Sequence, residues 1–307
     1  MPIIDFHSHI FPDTVHRFLP NRLREQARVL FKPVISTMHR AQTFMRWLPE
    51  PILRSVEQLS ALAPIPGLLI ESSADDLKSA MEEAGVDYSV VIAHPPGITN
   101  EYVLEVCQDS PTLIPAVNIP SGTAFPGKKL KEYVDRGAKI LKIHPASDGE
   151  GVDSPRYKIL LTAASDLGLP VILHTGCFHS NIYYKDPLQG KAERFAPWFS
   201  AFPKITFVLA HMNYHEPNVA LDLAEENGNV LVDTSWQPPE VIGEAVRRIG
   251  NDRILFGTDW PFIGQNLEIG IKRIRDCVAS GVLDEEGAEA ILGGNAARVL
   301  GVHAGKA

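Results

Sequence analysis

Two imidazoles stand two residues apart at the start of the chain, His7 and His9 in the stretch IIDFHSHIF. An extended strand alternates its side chains with period two, so both point to the same side and Asp5 shares their parity. Two neutral imidazoles on one rigid element make a chelate for a divalent ion. The chain has 11 histidines. Six of them, His7, His9, His94, His144, His174 and His211, fall at the ends of short apolar runs, and another such run ends in Asp259. Scattered structural histidines would not line up in this way. A nitrogen from His174 and a carboxylate oxygen from Asp259 would complete a mixed site that suits zinc, and also manganese or iron. The alternative for the His-x-His pair taken alone is two polar residues at a partly exposed strand end.

The apolar runs cover residues 3–9, 88–94, 112–118, 138–144, 169–175, 205–211, 229–235 and 253–259. Stretches such as SADDLKSAMEEAG and YKILLTAASDLG read as helices between them. Near-continuous apolar strands alternating with helices predict a parallel sheet covered on its outer face. Eight such units predict an α/β fold, a closed (β/α)8 TIM barrel. An open doubly wound sheet is the competing architecture, but no glycine-rich phosphate loop follows the first run. In a barrel the C-terminal strand ends converge on one mouth, so a pattern along the chain becomes a cluster in space.

Length permits one barrel domain spanning residues 1–307. Its first connection is an outlier. Residues 10–74 hold the helix-like segments VHRFLPNRLREQARVLF and PILRSVEQLSALA and the aromatics Phe11, Phe18, Phe31, Phe44 and Trp47. Loops after strands lie on the mouth side, so this helical insertion reads as a cap, as a surface for a homodimer, or as a subdomain with its own small core.

The formal charge of −8 argues against nucleic acid as a partner. No apolar stretch approaches the ~18 residues of a membrane span, and the N-terminus lacks the basic and apolar regions of a signal peptide. Three widely spaced cysteines, Cys107, Cys177 and Cys277, suggest a reduced, cytoplasmic setting. The expected partner is a small molecule.

The stretches DFHSHIF, LKIHP, LPVILHTG, FVLAHMN, ILFGTDWPF and GNAARVLG resemble the amidohydrolase superfamily. More narrowly, they resemble the amidohydrolase-related branch that includes aminocarboxymuconate-semialdehyde decarboxylase and many uncharacterised hydrolases. The resemblance runs from the first strand to the last helix, and only the 10–74 insertion lacks a matching motif. It implies that His7, His9 and His174 bind the metal, that Asp259 binds it and shuttles a proton, and that His211 is a catalytic acid or base beside it. A divalent ion with an open position lowers the pKa of bound water from 15.7 to ~7. Asp259 could take the proton as water attacks a carbonyl or imine carbon, and His211 could donate to the developing oxyanion.

These roles fit, as the first expectation, a hydrolase acting on an amide, ester, lactone or cyclic imine in a small polar substrate. They also fit nonoxidative decarboxylation of an aromatic or enolic acid. A metal-free binding barrel is a third expectation, of a different class.

Other residues keep two readings. Asp5 could orient a ligand or cap neighbouring backbone amides. Lys142 occupies the strand on which some superfamily members carry a carboxylated lysine bridging two metals; a salt-bridged or substrate-anchoring lysine is the alternative. His144 shares its face, and His94 is expected to shape the mouth. Cys177 reads as an inert thiol by default. His179, Tyr183, Tyr184, Asn213 and Trp236 lie on loops after strands five to seven, where they could touch substrate or pack against neighbouring loops. Asn213 and Tyr214 in HMNYHEP could narrow the pocket or form a packing turn.

Overall fold

The computed structural model describes residues 1–12, 20–45, 47–61, 65–180, 182–262 and 266–301. Eight parallel strands form one sheet in chain order: β1 Ile4–Ser8, β2 Tyr88–Ile92, β3 Leu113–Asn118, β4 Ile140–Ile143, β5 Val171–Leu173, β6 Phe207–Leu209, β7 Val230–Asp233 and β8 Ile254–Leu255. The ends meet where Phe6 N–H donates to Phe256 O at 2.7 Å and His9 N–H to Trp260 O at 2.7 Å. The expected (β/α)8 barrel is the fold.

Each strand lies inside its expected run and all but β3 stop short of the end, so His94, His144, His174, His211 and Asp259 sit just past the ladder. The chain turns over the rim there, and side chains leaving the ladder can aim across the mouth instead of along the pleat.

Alternate strand residues build two apolar layers. Val91, Val117, Leu141, Leu173, Leu209 and Val232 pack outward with helix residues such as Leu77, Val103 and Leu160. Ile4, Phe6, Val90, Ile92, Ala116, Ile140, Ile172, Val208, Leu231 and Leu255 fill the barrel, plugged at its N-terminal end by Ala296, Val299 and Leu300. Burial of each large side chain contributes about 1.5–3 kcal/mol.

One irregularity decides the site. Asp5 lies opposite Ser89 but Ser8 lies opposite Val91, so Phe6 and His7 together face Val90. Such a slip shifts the alternation by one. Phe6 stays in the interior core while His7, next in sequence, joins the interior at the mouth. The expected shared parity of Asp5 with His7 and His9 is therefore wrong. Asp5 falls on the other side of the slip, where its carboxylate accepts from Thr258 N–H at 3.0 Å and Thr258 Oγ1–H at 2.7 Å.

The insertion is helical: α1 Asn21–Met45, α2 Glu50–Ser60 and α3 Ile65–Ile70. Residues 13–19 of the first expected helix, Phe18 among them, lie outside the described residues. The segment SADDLK then starts α4 Ala74–Ala84 as its pattern predicts. Ser73 and Asp76 cap each other's backbone, and Gly85 at φ 71° ends the helix. Among the described residues no helix is long and apolar enough to cross a membrane.

Candidate active site

At the mouth His7 and His9 are each oriented from behind. His7 Nδ1–H donates to Asp233 Oδ2 at 2.8 Å, and His9 Nδ1–H to Ile92 O at 2.9 Å. With Nδ1 protonated, each neutral imidazole offers Nε2 as a lone pair. Those nitrogens lie 3.5 Å and 3.3 Å from one atom, Asp259 Oδ1. Two nitrogen lone pairs and a carboxylate oxygen, all buried, do not gather without positive charge between them. A carboxylate behind a histidine is the usual way a ligand's tautomer and angle are fixed. The donor set fits a divalent ion, which His7, His9 and Asp259 would hold.

Asp259 is held in turn. It sits at φ 60°, its N–H donates to His7 O at 2.7 Å, and its Oδ2 accepts from Trp236 Nε1–H at 2.7 Å. Burial works against its ionised form, but the contacts with His9, His7 and Trp236 outweigh burial and hold the carboxyl below its ordinary value.

His211 completes a group with His7 and Asp259 in which one ligand atom from each lies within 4.8 Å of the others. Asp233 and Ser235, which sequence reasoning missed, organise it. Asp233 Oδ1 accepts from His211 N–H at 2.9 Å and from Ser235 N–H at 3.0 Å. Ser235 Oγ–H donates to the same oxygen. The hydroxyl then faces His211 Nδ1, 2.6 Å away, as an acceptor. His211 thus carries its proton on Nδ1 and leaves the Nε2 lone pair for the site. That leaves it an acceptor at rest, the base side of the acid or base role expected from sequence; donation to an oxyanion would need a second proton. Burial and the neighbouring His7 push its pKa well below the ordinary value, keeping it neutral.

The backbone here is strained. His211, Met212, Asn213 and Tyr214 have φ between 43° and 61°, and Trp236 has φ 64°. Non-glycine residues in the left-handed region cost on the order of 1–3 kcal/mol each and gather at functional sites. The sequence signal for the missed pair was only that the seventh run ends in Asp-x-Ser.

His174 stands one ring away, 5.2 Å from His211 between centroids and stacked at 3.8 Å on His144. His144 Nδ1 accepts from Ser147 N–H at 3.2 Å, capping the short helix Pro145–Asp148. His94 lies edge-on to His144 at 5.0 Å. Lys142, next to last in β4, lines the same cavity and is only 2% exposed. Burial lowers its pKa to about 8, opposed by Asp233 and Asp259.

The site opens into a cavity of about 470 Å³. Histidines, Lys142 and Asp259 form the floor. Its walls are apolar and aromatic, including Phe11, Ile98, Phe178, Tyr184, Trp236 and Phe262. The insertion contributes Met38, Ala41 and Met45 of α1 and Leu68 of α3.

Two candidates point elsewhere. His179 pairs with Glu57 of α2 at 2.8 Å, the carboxylate that also takes His215 Nε2 at 2.8 Å. Asn213 accepts from Ala192 N–H at 3.0 Å and donates to Glu216 O at 3.2 Å, bracing loops. Tyr183 and Tyr214 do line the cavity, while burial pushes the Cys177 thiol up to about 12, away from reactivity.

A family model described as amidohydrolase matches residues 4–302. No curated protein matches the chain at a significant level. Among solved structures, an uncharacterised TIM-barrel protein from Bordetella bronchiseptica aligns with a TM-score of 0.68 and 21% identity, covering 98% of this chain and 99% of its own. A 2,6-dihydroxybenzoate decarboxylase from Rhizobium aligns at 0.65 and 17%, covering 98% and 99%. A 4-oxalomesaconate hydratase from Rhodopseudomonas palustris aligns at 0.62 and 19%, covering 98% and 96%. At these identities the likeness speaks for the fold.

Proposed function

From this chain's membership of the amidohydrolase family we propose that it is a metal-dependent carboxy-lyase that removes carbon dioxide from an aromatic or enolic acid. The observation that carries this is the cavity: an apolar, aromatic-walled chamber over a floor of imidazoles, one carboxylate and one lysine. Such walls favour a flat apolar body and leave little to hold the polar substrate expected from sequence. The Rhizobium decarboxylase on the same fold supports this choice.

His7, His9 and Asp259, with His174 nearby, would hold the ion, which when bound supplies Lewis acidity toward the substrate's oxygens. The chain's own residues do the rest. The walls exclude water and set the ring over the floor. Asp259, ionised at rest, takes up a proton from solvent and passes it to the carbon bearing the carboxylate. The carbon–carbon bond then breaks, its electron pair restores the ring or enol, and carbon dioxide leaves. A carboxyl held below its ordinary value rests ionised and gives up a captured proton readily, which suits a relay. His211, with a free lone pair at Nε2, accepts the substrate's phenolic or enolic proton.

A second reading keeps hydrolysis, favoured by the same low value: an ionised Asp259 is ready to accept a proton from water. A panel of hydroxybenzoates and of lactones and amides, given to protein reconstituted with zinc or manganese, separates the two. Carbon dioxide release that vanishes in Asp259→Asn is the expected result. Acid formed by ring or amide opening, with no carbon dioxide, would replace the proposal by the second reading.

A further inference from the structure

Lys142 is a charged group in the site whose role the mechanism leaves open. Its Nζ is buried and has no hydrogen-bond partner among the described residues, and no ion pair reaches it there. Both carboxylates whose charge it senses are engaged elsewhere, Asp233 by His7, His211 and Ser235 and Asp259 by Trp236 and the imidazoles. An unpaired ammonium inside a protein is costly and calls for an acceptor. The residues of β4 around it are apolar and buried, Leu141 and Ile143, and the side open to new partners is the cavity it lines.

We infer that Lys142 is the anion receptor of the site, pairing with the carboxylate of an organic acid whose apolar body lies against the cavity walls. Charge balance agrees. Asp233, Asp259, Lys142 and a divalent ion together leave one positive charge among neutral histidines, and a monoanion cancels it. A straight lysine presents a compact charge on a long stem, suited to the bottom of a narrow chamber. The inference deepens the proposed function and rests on the same cavity. It names the recognised group, whichever bond is then broken.

The test needs no turnover. Calorimetric titration of the metal-reconstituted protein uses benzoate and its neutral isostere benzamide as probes. The unaltered protein should bind benzoate at least about tenfold more tightly than benzamide, since a paired buried charge is worth more than a neutral hydrogen bond. Lys142→Met keeps the stem and removes the charge, so it should weaken benzoate binding far more than benzamide binding and shrink that preference, and a preference of unchanged size in the variant would overturn the inference. Equal binding of the two probes by the unaltered protein would overturn the inference, even if the variant fails to fold. So would a carbamate carbon resonance in protein equilibrated with carbon-13 bicarbonate that disappears in Lys142→Met, because the nitrogen would then be acylated and uncharged. Failure of the carbon dioxide assay leaves benzoate binding standing, so the two claims fail separately.

Discussion

The two ends of the barrel interior are built from the same strands and serve opposite ends. Toward the N-terminal end, Ile4, Phe6, Val90, Ile140 and Ile172 interlock with no polar atom to satisfy. Toward the mouth, the same strands and the loops that follow them deliver His7, Lys142, His174 and Asp259, all buried, along with left-handed backbone at His211, Trp236 and Asp259. The lower half supplies stability. The upper half spends some of it to hold lone pairs and charges where water would otherwise disperse them. The register slip at Phe6 and His7 is the seam between the two regimes, since adjacent residues serve opposite ones.

Four substitutions test this division, from the largest effect to the smallest. Asp259→Asn keeps volume and removes the proton carrier, so turnover should fall on the order of 10²–10⁴-fold while thermal melting barely moves; steady-state kinetics and a melt on one preparation check both. Phe6→Ala should do the reverse, costing about 3–5 kcal/mol in urea unfolding while turnover per folded molecule stays within a few-fold. A loss of activity matching the first variant would break the division.

Ser235→Ala leaves the fold and the metal ligands in place but frees His211 Nδ1. Nitrogen-15 shifts of the labelled imidazole should report a mixed tautomer in place of Nδ1–H, with turnover lowered about tenfold or less and KM little changed; an unaltered tautomer would remove Ser235 from the account.

The smallest effect concerns Asp5. Burial raises its pKa from 3.8 to about 7, against the hydrogen bonds from Thr258 and His7. A carboxyl raised in the folded state binds its proton more tightly there than in the unfolded chain. Its stabilising contribution is thus present below pH about 4 and is lost as pH rises through about 7. Unfolding free energy measured across that window should decline with pH in the unaltered protein, and Asp5→Asn should flatten the decline. An unchanged slope would show that Asp5 does not titrate there.

Much of this was legible in the sequence because period and position carry it. Eight β-branched runs, most of them separated by helical stretches, place every strand, and imidazoles at their ends place the mouth. The slip was not legible, because it depends on how β1 registers with β2 and closes against Phe256 and Trp260, and the alternation rule then misassigned Asp5. Asp233 and Ser235 were hidden for a related reason. Their importance lies in what they hold, His7 and His211, which only the closed sheet brings near. Sequence left His179 and Asn213 between substrate contact and loop packing, and they pack, because loop residues find partners far along the chain, Glu57 of α2 and Ala192.

The central claim is that His7, His9 and Asp259 converge on one ion. Elemental analysis of protein purified without chelators and then reconstituted tests it most directly. The account predicts close to one divalent ion per chain, largely lost in His7→Ala and retained in His94→Ala. Retention that is the same in both variants, or no ion in the unaltered protein, would contradict it.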